Sequence, residues 1–208
     1  MGPSIYASIM AIERRGSGPT LIETVVKAGL AAVPVIGGSL ATVVGDTLER
    51  RRDRVSEFGE AAVEALGSPE ALLERLHAVE RVSDLFVDGA VAASSTSMQA
   101  KRLAMGRVVA RAASDDAEVE LMQLVMSALA DLDAPHFAIL AKIAEGGQEN
   151  LDWARLVTDA APDPVVAALV RHGTVATVGT FDGGLVVSGL TSFGRLLLDY
   201  VSDSDPTR

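Results

Sequence analysis

A hairpin signal near the C-terminus orders everything around it. Two runs rich in β-branched residues, 175–181 and 184–190, flank Asp182-Gly183. That dipeptide takes the positive φ angles of a two-residue turn at little steric cost. The sequence before it is patterned as three short helices. Asp133 is placed to cap one over Ala134–Glu145, with Phe137, Leu140, Ala141 and Ile143 inward and Gly146-Gly147 ending it. Asn150 caps a second, over 151–161. Asp163-Pro164 opens a third, which runs to His172 and stops at Gly173. After the second strand, Thr191 caps a closing helix that carries Phe193, Leu196, Leu197, Tyr200 and Val201.

That order of elements is the winged helix-turn-helix plan, expected over residues 133–202, with 203–208 as a disordered tail. Leu190-Thr191-Ser192-Phe193-Gly194-Arg195-Leu196-Leu197 resembles the Leu-Thr-x-x-Gly-Arg-x-Leu run that follows the wing in many bacterial winged-helix proteins, MarR-like regulators among them. The resemblance implies that the helix 164–172 stands where DNA-binding relatives carry a recognition helix. Such a helix presents Arg, Lys, Asn or Gln to base edges. Here residues 163–172 are polar only at their ends, and the wing tip carries Asp182. Residues 134–208 hold five Lys/Arg against nine Asp/Glu, a net of −4, within a chain of net charge −10. That field repels a phosphate backbone. DNA is therefore disfavoured by charge, and a DNA-binding regulator is the alternative reading, with Lys142, Arg155, Arg171 and His172 as its contacts. Contact with another protein, or with a second copy, is the expectation.

Upstream the pattern is helical throughout, so the whole chain is expected to be mainly α: a helical bundle over 20–132 followed by the winged domain. Aromatics make up 4% of residues, which leaves Ala, Val and Leu to build the core and favours close helix packing. Residues 1–19 form a flexible N-terminal segment ending in the linker Gly16-Ser17-Gly18-Pro19, and Thr20-Leu21-Ile22-Glu23 fits a capping box. A helix from near Ser39 runs to Leu66 and is closed by Gly67. Ser68-Pro69-Glu70 opens the next, in which Leu72, Leu73, Leu76, Val79, Val82, Leu85, Phe86 and Ala90 follow one helical spacing. A fourth covers 98–113, with Leu103, Val108 and Val109 inward and Lys101, Arg102, Arg107 and Arg111 outward. A fifth starts at the caps of 115–118 and carries the stripe Leu121, Leu124, Val125, Ala128, Leu129 and Leu132.

The stretch 28–45 has no charged residue, and Val33, Pro34, Val35, Ile36, Gly37 and Gly38 break it into two pieces. Each is too short to cross a ~30 Å hydrocarbon layer alone. The expected role is a buried hairpin. A membrane-inserting or partner-binding hairpin, followed by Arg50, Arg51, Arg52 and Arg54 to meet acidic head groups, is the alternative. Those arginines, interleaved with Glu49, Asp53 and Glu57, otherwise form a solvated face. The segment Val33–Leu40 (VPVIGGSL), the arginine-rich helix and Lys101-Arg102 are together similar to a loosely defined set of bacterial and phage proteins that includes the abortive-infection alpha-like proteins. The similarity implies an association with phage–host conflict.

No cysteine is present, which excludes thiolate zinc sites, disulfides and a cysteine nucleophile. His77, His136 and His172 are isolated, and no Gly-x-Ser-x-Gly or His-Glu-x-x-His spacing occurs. Trp153 is expected to anchor the two modules together. The residues point to a non-enzymatic interaction or regulatory protein without cofactor. It is expected in the cytoplasm, peripheral to the membrane if the hairpin inserts, because Ile9-Met10-Ala11-Ile12 lacks the basic flank of a signal peptide.

Overall fold

Residues 41–147, 150–179 and 185–202 are described by a computed structural model. The linker at 16–19, the capping box at 20–23, the hairpin at 33–38, the turn residues Asp182-Gly183 and the tail 203–208 lie outside the described residues. Among the described residues the protein is mainly helical, with one small two-stranded antiparallel sheet near the C-terminus. It divides into two compact units between Met126 and Ser127. The division falls inside a helix, ahead of the boundary after 132 that the caps suggested.

In the first unit, α1 (Ala41–Leu66) packs along α4 (Gln99–Ser114), with α2 (Pro69–Ala78) and α3 (Glu80–Ser95) beside them. The aromatic-poor composition sets this packing. A Cβ on Gly106 would lie 2.7 Å from Ala61 Cβ and 2.8 Å from Ala62 N, so the α1 and α4 backbones meet at a distance only glycine permits. Val55, Phe58 and Ala62 from α1, Val82, Leu85 and Phe86 from α3, and Ala104, Met105, Val108 and Val109 from α4 fill the core. The Phe58 and Phe86 rings sit 5.1 Å apart at a tilted angle, a favourable aromatic pairing.

The single stripe from Leu72 to Ala90 is two helices. At ~100° per residue, one straight helix would place Leu85 about 140° round from Leu72. Both are nonetheless buried. The break at Val79, whose backbone is extended (φ −128°, ψ 102°), re-aims the second helix so that both faces reach the core. Ser68 caps α2 by accepting from Ala71 N at 3.1 Å, as its sequence predicts.

Helix α4 corrects the sequence reading on two cations. Lys101 and Arg102 were expected outward, yet they are 2% and 7% exposed. Arg102 Nε and Nη2 donate to Glu57 Oε2 at 2.8 and 2.6 Å, and Nη1 donates to the Thr96 carbonyl at 3.2 Å. Arg107 is half-buried, and Arg111 faces out and pairs with Glu118 at 2.9 Å. Leu103 is only half-buried. The arginines of α1 are not uniformly solvated: Arg50 and Arg52 are exposed, while Arg54 is half-buried and donates to the Ser94 carbonyl at 3.3 Å.

A short 3-10 turn, Asp116–Glu118, leads into α5 (Val119–Asp131), and Asp115 caps it by accepting from Ala117 N at 2.9 Å. The α5 stripe also shifts. Of the expected residues Val125, Ala128, Leu129 and Leu132 are buried, whereas Leu121 and Leu124 are exposed and Val119, Met122 and Met126 are buried instead. Periodicity alone gave the helix and most of its inward face, and missed only at Leu121 and Leu124, where Val119, Met122 and Met126 take the core positions that leucine was expected to fill.

The second unit continues with α6 (Ala134–Glu145), α7 (Leu151–Asp159), α8 (Asp163–Arg171), β1 (Val175–Gly179), β2 (Leu185–Leu190) and α9 (Ser192–Ser202). Asp133 N–H donates to His136 Nδ1 at 3.0 Å, which makes His136 part of the α6 cap. Asn150 Oδ1 accepts from Trp153 N at 3.0 Å. Phe137, Leu140 and Ile143 are buried as expected, and Ala141 is exposed. Trp153 anchors α7 to α6 inside this unit. Its Nε1 donates to the Lys142 carbonyl at 2.6 Å, and the indole covers Gly146 so closely that any side chain there would strike the ring. Strands β1 and β2 pair antiparallel from Val175↔Leu190 to Gly179↔Leu185, with a bulge between Ala176 and Thr177.

Candidate functional site

Helix α8 is held by its end. Leu169 is fully buried beneath it. Gly173, at φ +64°, turns the chain out of the helix in the left-handed region. Thr174 then donates from both its backbone N (3.1 Å) and its Oγ1 (2.9 Å) to the Leu169 carbonyl. The start of α9 closes on the same corner. Thr191 Oγ1 donates to the Gly173 carbonyl at 2.7 Å and accepts from Gly194 N at 2.9 Å, while Thr191 N donates to the Thr174 carbonyl at 3.1 Å. A Cβ on Gly194 would lie 2.9 Å from the Thr174 carbonyl carbon and nearer still to its oxygen. The run Leu190-Thr191-x-x-Gly194 thus has a mechanical reading. Leu190 is buried at the strand end, Thr191 both caps and clasps, and Gly194 lets α9 cross the α8–β1 corner.

Fixed in this way, α8 turns Asp163, Ala167, Val170 and Arg171 outward. Pro162, rather than Asp163, stands at the cap position, and Asp163 lies in the first turn, where its charge complements the helix dipole. Beside this face is an open hollow of about 690 Å³, lined by Thr158 and Asp159 at the end of α7, by Val166, Ala167 and Val170 of α8, and by Val186 and Val187 of β2. Asp163 and Arg171 also border it. Val178 stands directly opposite Val186 in the sheet register, so both side chains share one face of the hairpin. Val178 is 43% exposed.

Of the four residues expected to meet DNA, three stand against carboxylates. Arg171 Nη2 and His172 Nε2 both face the carboxylate of Asp131, at 3.5 and 3.2 Å. Arg155 pairs with Asp159 at 3.5 Å across one helical turn. Lys142 is exposed on α6, where its carbonyl holds Trp153. The Arg155–Asp159 pairing was legible from i,i+4 spacing, whereas Asp131 is distant in sequence and gave no local signal. Nor did the hollow, which combines α7, α8 and β2. Among the described residues no group of three His, Asp or Glu side chains is placed to hold a metal ion. No single described helix is long and apolar enough to cross a membrane. The hairpin residues Val33, Pro34, Val35, Ile36, Gly37 and Gly38 lie outside the described residues.

Three helices, an antiparallel hairpin and a closing helix, in that order, make the C-terminal unit a winged helix-turn-helix domain with a two-stranded wing, carried behind a helical bundle. Comparisons with protein-family models, curated proteins and solved structures gave no match.

Proposed function

We propose that the chain is a non-enzymatic interaction protein whose winged domain contacts protein through the face of α8 and the wing. One observation carries this reading: the surface that would enter a DNA groove is apolar and charge-balanced. Its exposed α8 residues are one acid, one base, a proline, an alanine and a valine. Three of the four candidate phosphate or base contacts face a carboxylate of the same unit. Groove binding would bring Asp131, Asp159 and Asp163 toward phosphates together with the cations, which cancels the counterion-release gain that drives such association. An apolar floor with charged ends is instead the composition of a protein-contact surface. The association with phage–host conflict belongs to the same proposal and rests on the resemblance of the helical body alone.

Fluorescence anisotropy with random duplex DNA, at about 50 and 200 mM salt, tests the reading. No binding is expected at either concentration. Micromolar binding that weakens steeply across that range, and is lost in Arg155→Ala and Arg171→Ala, would replace protein contact by DNA regulation.

A further inference from the structure

We infer that the α8–wing face is a self-complementary surface that pairs with a second copy of the same chain about a twofold axis. The inference rests on the protein-contact reading and names the partner. A twofold contact brings the same patch together from both subunits, so each feature must face its complement across the axis. The exposed face of α8 meets that condition. Asp163 lies at its first turn, Arg171 at its last, and Ala167 stands midway, four residues from each. The two charges are separated by about 12 Å along the helix at ~1.5 Å rise per residue. When two such helices cross antiparallel at Ala167, each Asp163 faces the other copy's Arg171, and both ends are satisfied by one operation.

The middle of the face suits the same geometry. Ala167 is exposed and small, so the two helix axes can approach closely. Val170, 37% exposed, lines the hollow with Val166 and Val186, and Val178, 43% exposed, stands opposite Val186 in the hairpin. A parallel arrangement would set like charges together at both ends and is excluded by the same charge pattern. Arg171 faces Asp131 from the edge of the helix at 3.5 Å, with both side chains more than half exposed. Its guanidinium has further donors to offer across an interface. The face is small beside the ~800 Å² per partner of a standard interface, so the pair is a weak one, with a dissociation constant on the order of 10–100 μM.

Sedimentation velocity of the full chain, from about 5 to 500 μM, reads the equilibrium across that range. Three variants separate this surface from any other. Ala167→Glu sets two carboxylates against each other on the axis while keeping a good helix former. Asp163→Lys and Arg171→Glu each place like charges opposite one another. The double variant Asp163→Lys/Arg171→Glu reverses both signs and restores complementarity. The expected result is a concentration-dependent dimer whose dissociation constant rises at least tenfold in Ala167→Glu and in each single charge variant. In the double variant it returns to within about threefold of the unmodified chain. Circular dichroism confirms that each variant is folded.

A monomer at every concentration overturns the inference. So does a dimer that ignores Ala167→Glu, or charge reversals whose effects simply add. A monomer that also fails to bind DNA leaves the protein-contact reading standing with a different partner. DNA binding would remove that reading as well.

Discussion

The pairing of Arg102 with Glu57 makes a prediction that sequence alone would have assigned the wrong sign. Read as an outward cation, Arg102 would tolerate any polar replacement. In the structure its side chain is 8% exposed and that of Glu57 35%. Two guanidinium nitrogens converge on one carboxylate oxygen, and the third meets the Thr96 carbonyl. Removing one member of a buried pair costs about 3–5 kcal/mol, because the other charge is left without its partner in a low-dielectric site. Glu57 is a third exposed, so solvent weakens the attraction, and the lower end of that range applies.

Glu57→Leu should therefore cost about 3 kcal/mol, leaving the guanidinium with the Thr96 carbonyl alone. Arg102→Met should cost less, about 1–2 kcal/mol, since the freed carboxylate can turn toward water while Thr96 loses a donor. The double variant replaces the pair by apolar side chains and should fall within about 1 kcal/mol of the unmodified chain, as buried pairs often do. The coupling energy is then at least about 3 kcal/mol. Urea unfolding followed by far-UV circular dichroism measures each variant. The fluorescence of Trp153, the single tryptophan, identifies any transition that belongs to the C-terminal unit. If the two single costs add to within about 0.5 kcal/mol in the double variant, the pair is solvent-screened and the reasoning fails.

Other outcomes follow from single contacts. Gly194→Ala should destabilise the C-terminal unit by about 2 kcal/mol, because the new methyl meets the Thr174 backbone, which cannot step aside as a flexible side chain could; an unchanged Trp153-detected urea midpoint would refute the close crossing. Thr191→Ala loses both the α9 cap and the bond to the Gly173 carbonyl and should cost about 1–2 kcal/mol, with Thr191→Ser recovering most of it. Trp153→Phe keeps an aromatic ring but drops the Nε1 bond to the Lys142 carbonyl, and should cost at least about 1 kcal/mol in a calorimetric melt. On α5, Leu129→Ala should cost about 3 kcal/mol whereas Leu124→Gln stays within about 0.5 kcal/mol. Equal losses would restore the leucine stripe.

The element types, most of their ends and the order of the C-terminal domain are legible along the chain, because those are local properties. Caps at Ser68, Asp115, Asn150 and Thr191 need only neighbouring backbone N–H groups, and Gly67 and Gly173 need only the freedom to take positive φ. The charge balance that counts against DNA was equally legible, since charge does not depend on fold. Tertiary structure decided the rest. Arg102 is charged yet buried, because Glu57, 45 residues away, supplies the counter-charge. The stripe from Leu72 to Ala90 became two helices because neither face could reach the core from one axis. Leu121 and Leu124 lost their places to Val119, Met122 and Met126 through packing, which no periodicity encodes. The hollow beside α8 and the clasp of Asp131 on Arg171 and His172 join residues from separate elements. Such contacts exist only once the helices and the wing have met, which is why the candidate site, unlike the fold, could not be read along the chain.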